Sequence, residues 1–178
     1  LRPGTKMYGV VKTDAYGHGA VPVARTIDRF VCGYAVATVD EGLKLRRHGI
    51  EKEILSLGPV SASRYQECLE NDISLPVFEY RRAKELSDAA AAEGKTAKIH
   101  IAVDTGMSRI GLFPDEGSVE TVKEIAELPA LRIAGMFTHF ARADEADKTN
   151  AGEQYRRFHA FCDAVKAAGV DVPGCHCS

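Results

Sequence analysis

A lysine, an arginine and two histidines stand where polar residues interrupt apolar runs, and the lysine suggests the first chemistry. Lys12 directly follows Tyr8 to Val11. An amine placed there is partly withdrawn from water, and desolvation favours its neutral form, the nucleophile that condenses with an aldehyde to a Schiff base. A lysine in that position also reads as a long side chain that snorkels to solvent. Arg109, taken alone, reads as a surface ion pair with Asp115 or Glu116, and His139 as a structural histidine at a strand end. Cys175-His176-Cys177 has the residue types of a metal cluster. On a strand, however, its two thiols point to one face and its imidazole to the other. Structural zinc sites also pair cysteines through two or more intervening residues, so no metal site is expected. Asp144, Glu145 and Asp147 read as a solvated loop rather than a carboxylate pair.

These residues need elements that bring them together, and the chain supplies repeated strand then helix. Candidate strands are Met7 to Val11, Gly33 to Ala37, Ile54 to Leu57, Ser74 to Val77, Ile99 to Val103, Leu131 to Phe137 and a start near Val172 to Cys177. Between them lie stretches with apolar residues at three- and four-residue spacing and punctuation at their ends, most often glycine or proline. Examples are Val39 to His48, Ser61 to Glu70, Arg82 to Glu93, Ser118 to Glu127 and Glu153 to Ala168. A doubly wound open sheet and a closed (β/α)8 barrel both accept this string. After its first strand the open sheet usually carries a G-x-G-x-x-G turn, and Lys12 to Gly19 lacks that spacing. Polar residues follow the strands: Lys12 the first, Thr38 and Asp40 the second, Gly58-Pro59 the third, Asp104 to Arg109 the fifth, Thr138-His139 the sixth. In a barrel all of these converge on the rim where βα loops build active sites, so an enzyme on a (β/α)8 barrel is expected.

Composition excludes other classes. The 178 residues are 45% apolar and 27% charged, with 23 Lys+Arg against 25 Asp+Glu for a net charge of -2, so no overall field attracts a polyanion. The densest cationic clusters, Arg46-Arg47-His48, Arg81-Arg82 and Arg156-Arg157, have acidic neighbours and read as solvated helix faces, so no nucleic-acid partner is expected. No apolar run approaches the ~18 residues of a membrane helix, and the first residues lack a signal-peptide layout; a soluble, cytoplasmic protein is expected. The five cysteines are odd in number and mostly sit inside apolar elements, as buried thiols of an intracellular protein would.

The string VVKTDAYGHGA, Val10 to Ala20, resembles the pyridoxal 5'-phosphate (PLP) attachment motif of alanine racemases. Two further segments agree in order and spacing: Val103-Asp104-Thr105-Gly106-Met107-Ser108-Arg109-Ile110-Gly111-Leu112, and Gly135 to Glu145, GMFTHFARADE. The resemblance implies that Lys12 carries PLP and acts as one of two proton-transfer bases. It also implies that Tyr16 approaches the cofactor phosphate, although an aromatic plug at the rim is the alternative. Arg109 would lie beside the phenolic oxygen of PLP and help hold the substrate carboxylate, a task suited to a planar fork of donors. His139 would sit under the cofactor ring, and His176 near the cofactor on the seventh strand. The family often carries a lysine two residues before the Asp of DTGM, whose carbamylated side chain orients the arginine. Here that position is Ala102, so another anion orients Arg109 or it is held more loosely.

By the same resemblance the activity would be L- to D-alanine interconversion for cell-wall supply, in a homodimer with a small amino-acid substrate. A serine racemase, including a membrane-tethered kind, is an alternative of the same chemistry. A non-catalytic PLP-binding barrel and an open-sheet small-molecule binder are alternatives of other classes. In the family the second base is a tyrosine from a C-terminal β domain of the partner subunit. Six βα units plus the beginning of a seventh strand do not close an eight-stranded barrel. Residues 1–178 are therefore expected to be a partial barrel without the β domain, inactive alone.

Overall fold

Short apolar runs have become parallel strands and the amphipathic stretches between them helices, in a computed structural model describing residues 4–178. The chain divides between Pro76 and Val77 into two compact units. In the first unit, β1 (Tyr8–Val10) leads into a one-turn segment α1 (Lys12–Tyr16) and α2 (Ala20–Ile27). Then come β2 (Gly33–Val36), α3 (Val39–Arg47), β3 (Glu53–Ser56), α4 (Tyr65–Glu70) and β4 (Ile73–Val77). Each strand pairs in parallel with the next, Tyr8 opposite Gly33, Gly33 opposite Glu53 and Ile54 opposite Ile73. Every residue of β2 and β4 is buried, as in parallel strands covered on both faces. Helices α2 and α3 close on these strands through Val21, Ala24 and Leu45, which pack with Tyr34, Val36 and Ile54.

The second unit holds α5 (Tyr80–Ala92), β5 (Ala97–Val103), α6 (Glu116–Ala126), β6 (Leu131–Thr138), α7 (Thr149–Ala167) and β7 (Cys175–Cys177). Strands β5 and β6 are parallel, with a register shift between Ile99 and His100, and β6 pairs in parallel with β7. Ile99, Ile101 and Met136 from the strands are fully buried, as are Val122 and Ile125 of α6 and Val165 of α7. In each unit successive strands are neighbours and the order never reverses. A doubly wound sheet requires such a reversal, so the class is α/β of the (β/α)8 barrel type, with seven strands among the described residues.

Strand and helix ends agree with the sequence pattern to within a few residues, with three corrections. The helix expected over Ser61 to Glu70 is a 3-10 turn, Ala62–Arg64, followed by α4. Of the five cysteines only Cys68 and Cys162 are buried; Cys32 lies in the entry to β2, and Cys175 and Cys177 are exposed on β7. Among the described residues β7 has a partner strand, β6, on one side. Arg46 is also no solvated cation. Half-buried, it donates to the carbonyl oxygens of Ile50, Lys52, Asn71 and Asp72 at 2.7 to 2.8 Å, tying the loops that enter β3 and β4. Desolvation therefore holds its pKa below the usual guanidinium value. No described helix is long and apolar enough to cross a membrane.

Candidate active site

In the first unit the site begins where β1 ends. Lys12 is half-buried, and the residues after it take a backbone path that the sequence does not announce. Thr13, Asp14 and Ala15 have φ of 54°, 52° and 54° with ψ of 46°, 46° and 49°. Tyr16 has φ 54°, so four consecutive non-glycine residues form a left-handed turn. For L-residues that conformation costs roughly 1–2 kcal/mol each, so the surrounding structure must impose it. Ala15 N donates to Val11 O at 2.9 Å, Gly17 N to Thr13 O at 3.1 Å and Gly19 N to Asp14 O at 2.8 Å. Two carboxylates complete the clamp. Glu41 accepts from Thr13 N at 2.6 Å through Oε1 and from Ala37 N at 2.7 Å through Oε2. It also closes a capping box with Thr38 at the start of α3. Asp14 Oδ1 accepts from Ala20 N at 2.9 Å and from Lys44 Nζ at 2.8 Å. Thr38, grouped with the polar strand-end residues, is thus a helix cap, and Asp40 pairs with Arg64 at 2.7 Å. The Thr38-x-x-Glu41 spacing was the available signal for Glu41.

The left-handed turn brings Tyr16 back over the lysine, with Lys12 Nζ 5.9 Å from the centre of its ring. Tyr16 is exposed, so it does not plug the unit's core. Among the described residues the Lys12 amine has neither a carboxylate nor a carbonyl as partner. A half-buried amine with no counter-ion is suited to a carbonyl compound that binds it covalently and brings its own negative charge.

The bonds of Asp14 carry a pH prediction. Ala20 N–H, then Lys44, hold its pKa below the usual carboxylate value, so its contribution is complete above the ordinary range and is lost as pH falls through the depressed value. Asp14→Asn should therefore lower the melting temperature near neutrality, and the gap to the parent should close on acidification below about pH 4. A gap that persists unchanged to pH 3 in thermal melts would contradict this.

In the second unit, Arg109 lies on a loop after β5. The loop is pinched at its base, where Asp104 N donates to Leu112 O at 2.8 Å and Leu112 N to Ala102 O at 2.9 Å. Asp104 Oδ1 accepts from Gly106 N at 2.9 Å and from Ser108 N at 3.0 Å. This explains the Asp and the glycines of the DTGMSRIG string: a carboxylate gathers the turn's N–H groups, and Gly106 and Gly111, at φ 137° and 125°, take conformations closed to most side chains. Arg109 is exposed and makes no ion pair among the described residues, with neither Asp115 nor Glu116 as partner. Asp115 instead caps α6, accepting from Ser118 N at 2.8 Å. Ala102 is buried.

His139 follows Thr138 at the end of β6, exposed, with Nδ1 3.4 Å from Ser178 Oγ. Phe140 N donates to Ser178 O at 2.7 Å, so the β6 and β7 ends are joined. His176 lies opposite Phe137 in the β6–β7 register and stacks on its ring at 5.5 Å between centroids. Its Nε2 is 3.0 Å from Nδ1 of His100, a buried β5 residue that the sequence pattern did not single out. Gly135 makes room for this pair, because a Cβ there would lie 2.7 Å from His100 Nδ1. Among the described residues no group of three or more histidine, cysteine or acidic side chains is placed to hold a metal ion.

Parallel strands taken in sequence order, each followed by a helix and ending in polar residues, place both units in the (β/α)-barrel class. Comparison narrows the class. The family model for the alanine racemase N-terminal domain matches residues 1–178. The alanine racemase of Clostridium novyi is 46% identical over 174 residues, 97% of this chain and 45% of that protein. That of Methanococcus maripaludis is 41% identical over 177 residues, 99% of this chain and 48% of that protein. The solved alanine racemase of Clostridium difficile 630 matches with TM-score 0.97 at 37% identity, over 100% of this chain and 49% of that one. The chain belongs to the alanine racemase N-terminal domain family, and it spans a little under half the length of the relatives it matches.

Proposed function

We propose that the protein carrying this chain is a PLP-dependent racemase that interconverts L- and D-alanine. The observation that carries the proposal is the half-buried Lys12 amine, at the end of β1 and the start of the left-handed turn, with no acid to neutralise it among the described residues. Lys12 would hold the cofactor, with the Tyr16 hydroxyl toward its phosphate; His139 and His176 would be its neighbours on the β6 and β7 ends. Bound PLP would supply an electron sink that acidifies the substrate Cα hydrogen. Lys12 Nζ would then take or return that proton on one face, and Arg109 would hold the substrate carboxylate with its paired donors. Inversion needs a second proton-carrying group on the opposite face, which we assign to a tyrosine outside these 178 residues, supplied by the partner in a homodimer. Family resemblance supports that assignment and a cytoplasmic location.

The test is racemisation by the full-length protein, followed by chiral chromatography of L-alanine and L-serine incubations, with an absorbance spectrum of the purified protein. Turnover of alanine in clear excess over serine, with visible absorbance, is expected. Serine in excess would transfer the assignment to a serine racemase, and absorbance without turnover to a cofactor-binding barrel. Residues 1–178 alone are expected to racemise neither amino acid; measurable turnover by them would show that a second base lies within them and overturn its assignment to a tyrosine elsewhere.

A further inference from the structure

The geometry points to Gln154 as a positioning residue that sets the Arg109 loop and the His139 segment with one amide, an inference that rests on the racemase function proposed above. Gln154 sits on the second turn of α7, is 1% exposed and spends both ends of its side chain on these two loops. Its Oε1 accepts from Ala141 N at 2.9 Å, two residues beyond His139. Its Nε2 donates to Thr105 Oγ1 at 3.2 Å, four residues before Arg109. Thr105 is itself 1% exposed, and its hydroxyl lies 2.8 Å from that of Thr138, the residue before His139. Arg157, one turn further along the same face of α7, donates to Thr105 O at 3.1 Å.

The donor arithmetic leaves little freedom. Gln154 Nε2 donates to Thr105 Oγ1, so the Thr105–Thr138 contact uses one hydroxyl proton and the remaining lone pairs. His139 is thus bracketed: the residue before it is tied to Thr105, and the residue two beyond it to Gln154 directly. Thr105 is the start of the turn that carries Arg109. Among the described residues no other partner meets either end of this amide, so an apolar replacement removes the acceptor of the Ala141 N–H and leaves the buried Thr105 hydroxyl with Thr138 as its remaining side-chain partner. Gly106 belongs to the same contact, because a Cβ on it would lie 3.5 Å from Gln154 Nε2.

The experiment compares Gln154→Met and Gln154→Glu in the full-length holoenzyme by three readouts: amide hydrogen exchange at Ala141, steady-state kinetics with L-alanine, and thermal melting. Gln154→Met should speed exchange at Ala141 and lower kcat/KM by about tenfold to a hundredfold, mainly through KM, because Arg109 holds the substrate carboxylate. Gln154→Glu keeps an acceptor for Ala141 N–H, so it should keep that protection and recover part of kcat/KM. Should Gln154→Met fail to fold, Thr105→Val removes the shared hydroxyl and should raise KM while leaving Ala141 protected. Faster exchange or a lower melting temperature with unchanged kcat and KM would reduce Gln154 to a structural residue and overturn the proposal. A parent protein that racemises no amino acid would overturn the underlying function instead, with Ala141 protection still reporting the clamp.

Discussion

Lys12→Ala in the full-length protein is expected to abolish both the visible absorbance of lysine-bound PLP and alanine racemisation. Loss of proton transfer by the amine alone accounts for about 10²–10⁴-fold, and loss of covalent attachment adds to it. The fold should survive. Lys12 is half-buried and makes no hydrogen bond or ion pair among the described residues, and the left-handed turn after it is held by Glu41, Asp14 and backbone bonds that the substitution leaves in place. Melting temperature should therefore change little, which separates loss of chemistry from loss of structure. Lys12→Arg sharpens the test. It keeps a positive charge and a long stem but stays protonated, and so should be as inactive as alanine. A Lys12→Ala protein that kept the absorbance and racemised alanine would remove the basis of the functional assignment.

Gly111→Ala should be the most damaging single methyl group in the second unit. A Cβ at Gly111 would stand 2.4 Å from Asp104 N and 2.6 Å from Val103 C, and both neighbours are backbone that cannot swing aside. The glycine also has φ +125°, a conformation that L side chains rarely adopt. We expect a loss of about 2–4 kcal/mol in urea unfolding. Because the paired bonds between Asp104, Leu112 and Ala102 close the base of the Arg109 loop, kcat/KM should fall about a hundredfold in the folded fraction. Gly94→Ala is the control: its φ is +63°, but nothing lies within 4 Å of the added methyl, so it should cost roughly 1–2 kcal/mol and leave KM unchanged. Equal destabilisation by the two substitutions would show that the loop base is not tightly closed.

Much of the scaffold was legible because it rests on local pattern. Apolar runs such as IHIAV and LRIAGMF have the near-continuous apolar character of parallel strands covered by helices, and β5 and β6 lie on them. Gly49 and Gly94, at φ 79° and 63°, stand just beyond the ends of α3 and α5 as helix-stop signals should. Arg46 was misread for the opposite reason. Its cationic cluster with acidic neighbours reads as a solvated face, while the four carbonyls it meets come from two loops that fold back to it. The cysteines were misread on the same ground, because a thiol within an apolar run is buried only if another element covers that side.

What the sequence determined by itself was the order of strands and helices, the strand-end positions of Lys12 and His139, the place of Arg109 in the loop after β5, and the glycines that this loop demands. Each depends on residues close together in the chain, where burial period and backbone sterics act directly. Tertiary structure alone decided the rest: the left-handed path of Thr13 to Tyr16, the pairing of His100 with His176, and the clamp of Gln154 across two loops. None of Thr13, Asp14, Ala15 and Tyr16 requires φ near 54°, and the path is held from outside it, by Glu41 on Thr13 N, and across it, by Asp14 on Ala20 N. Gln154 and Thr105 lie 49 residues apart, and a buried amide reveals its purpose only when the groups that satisfy it have been brought to it.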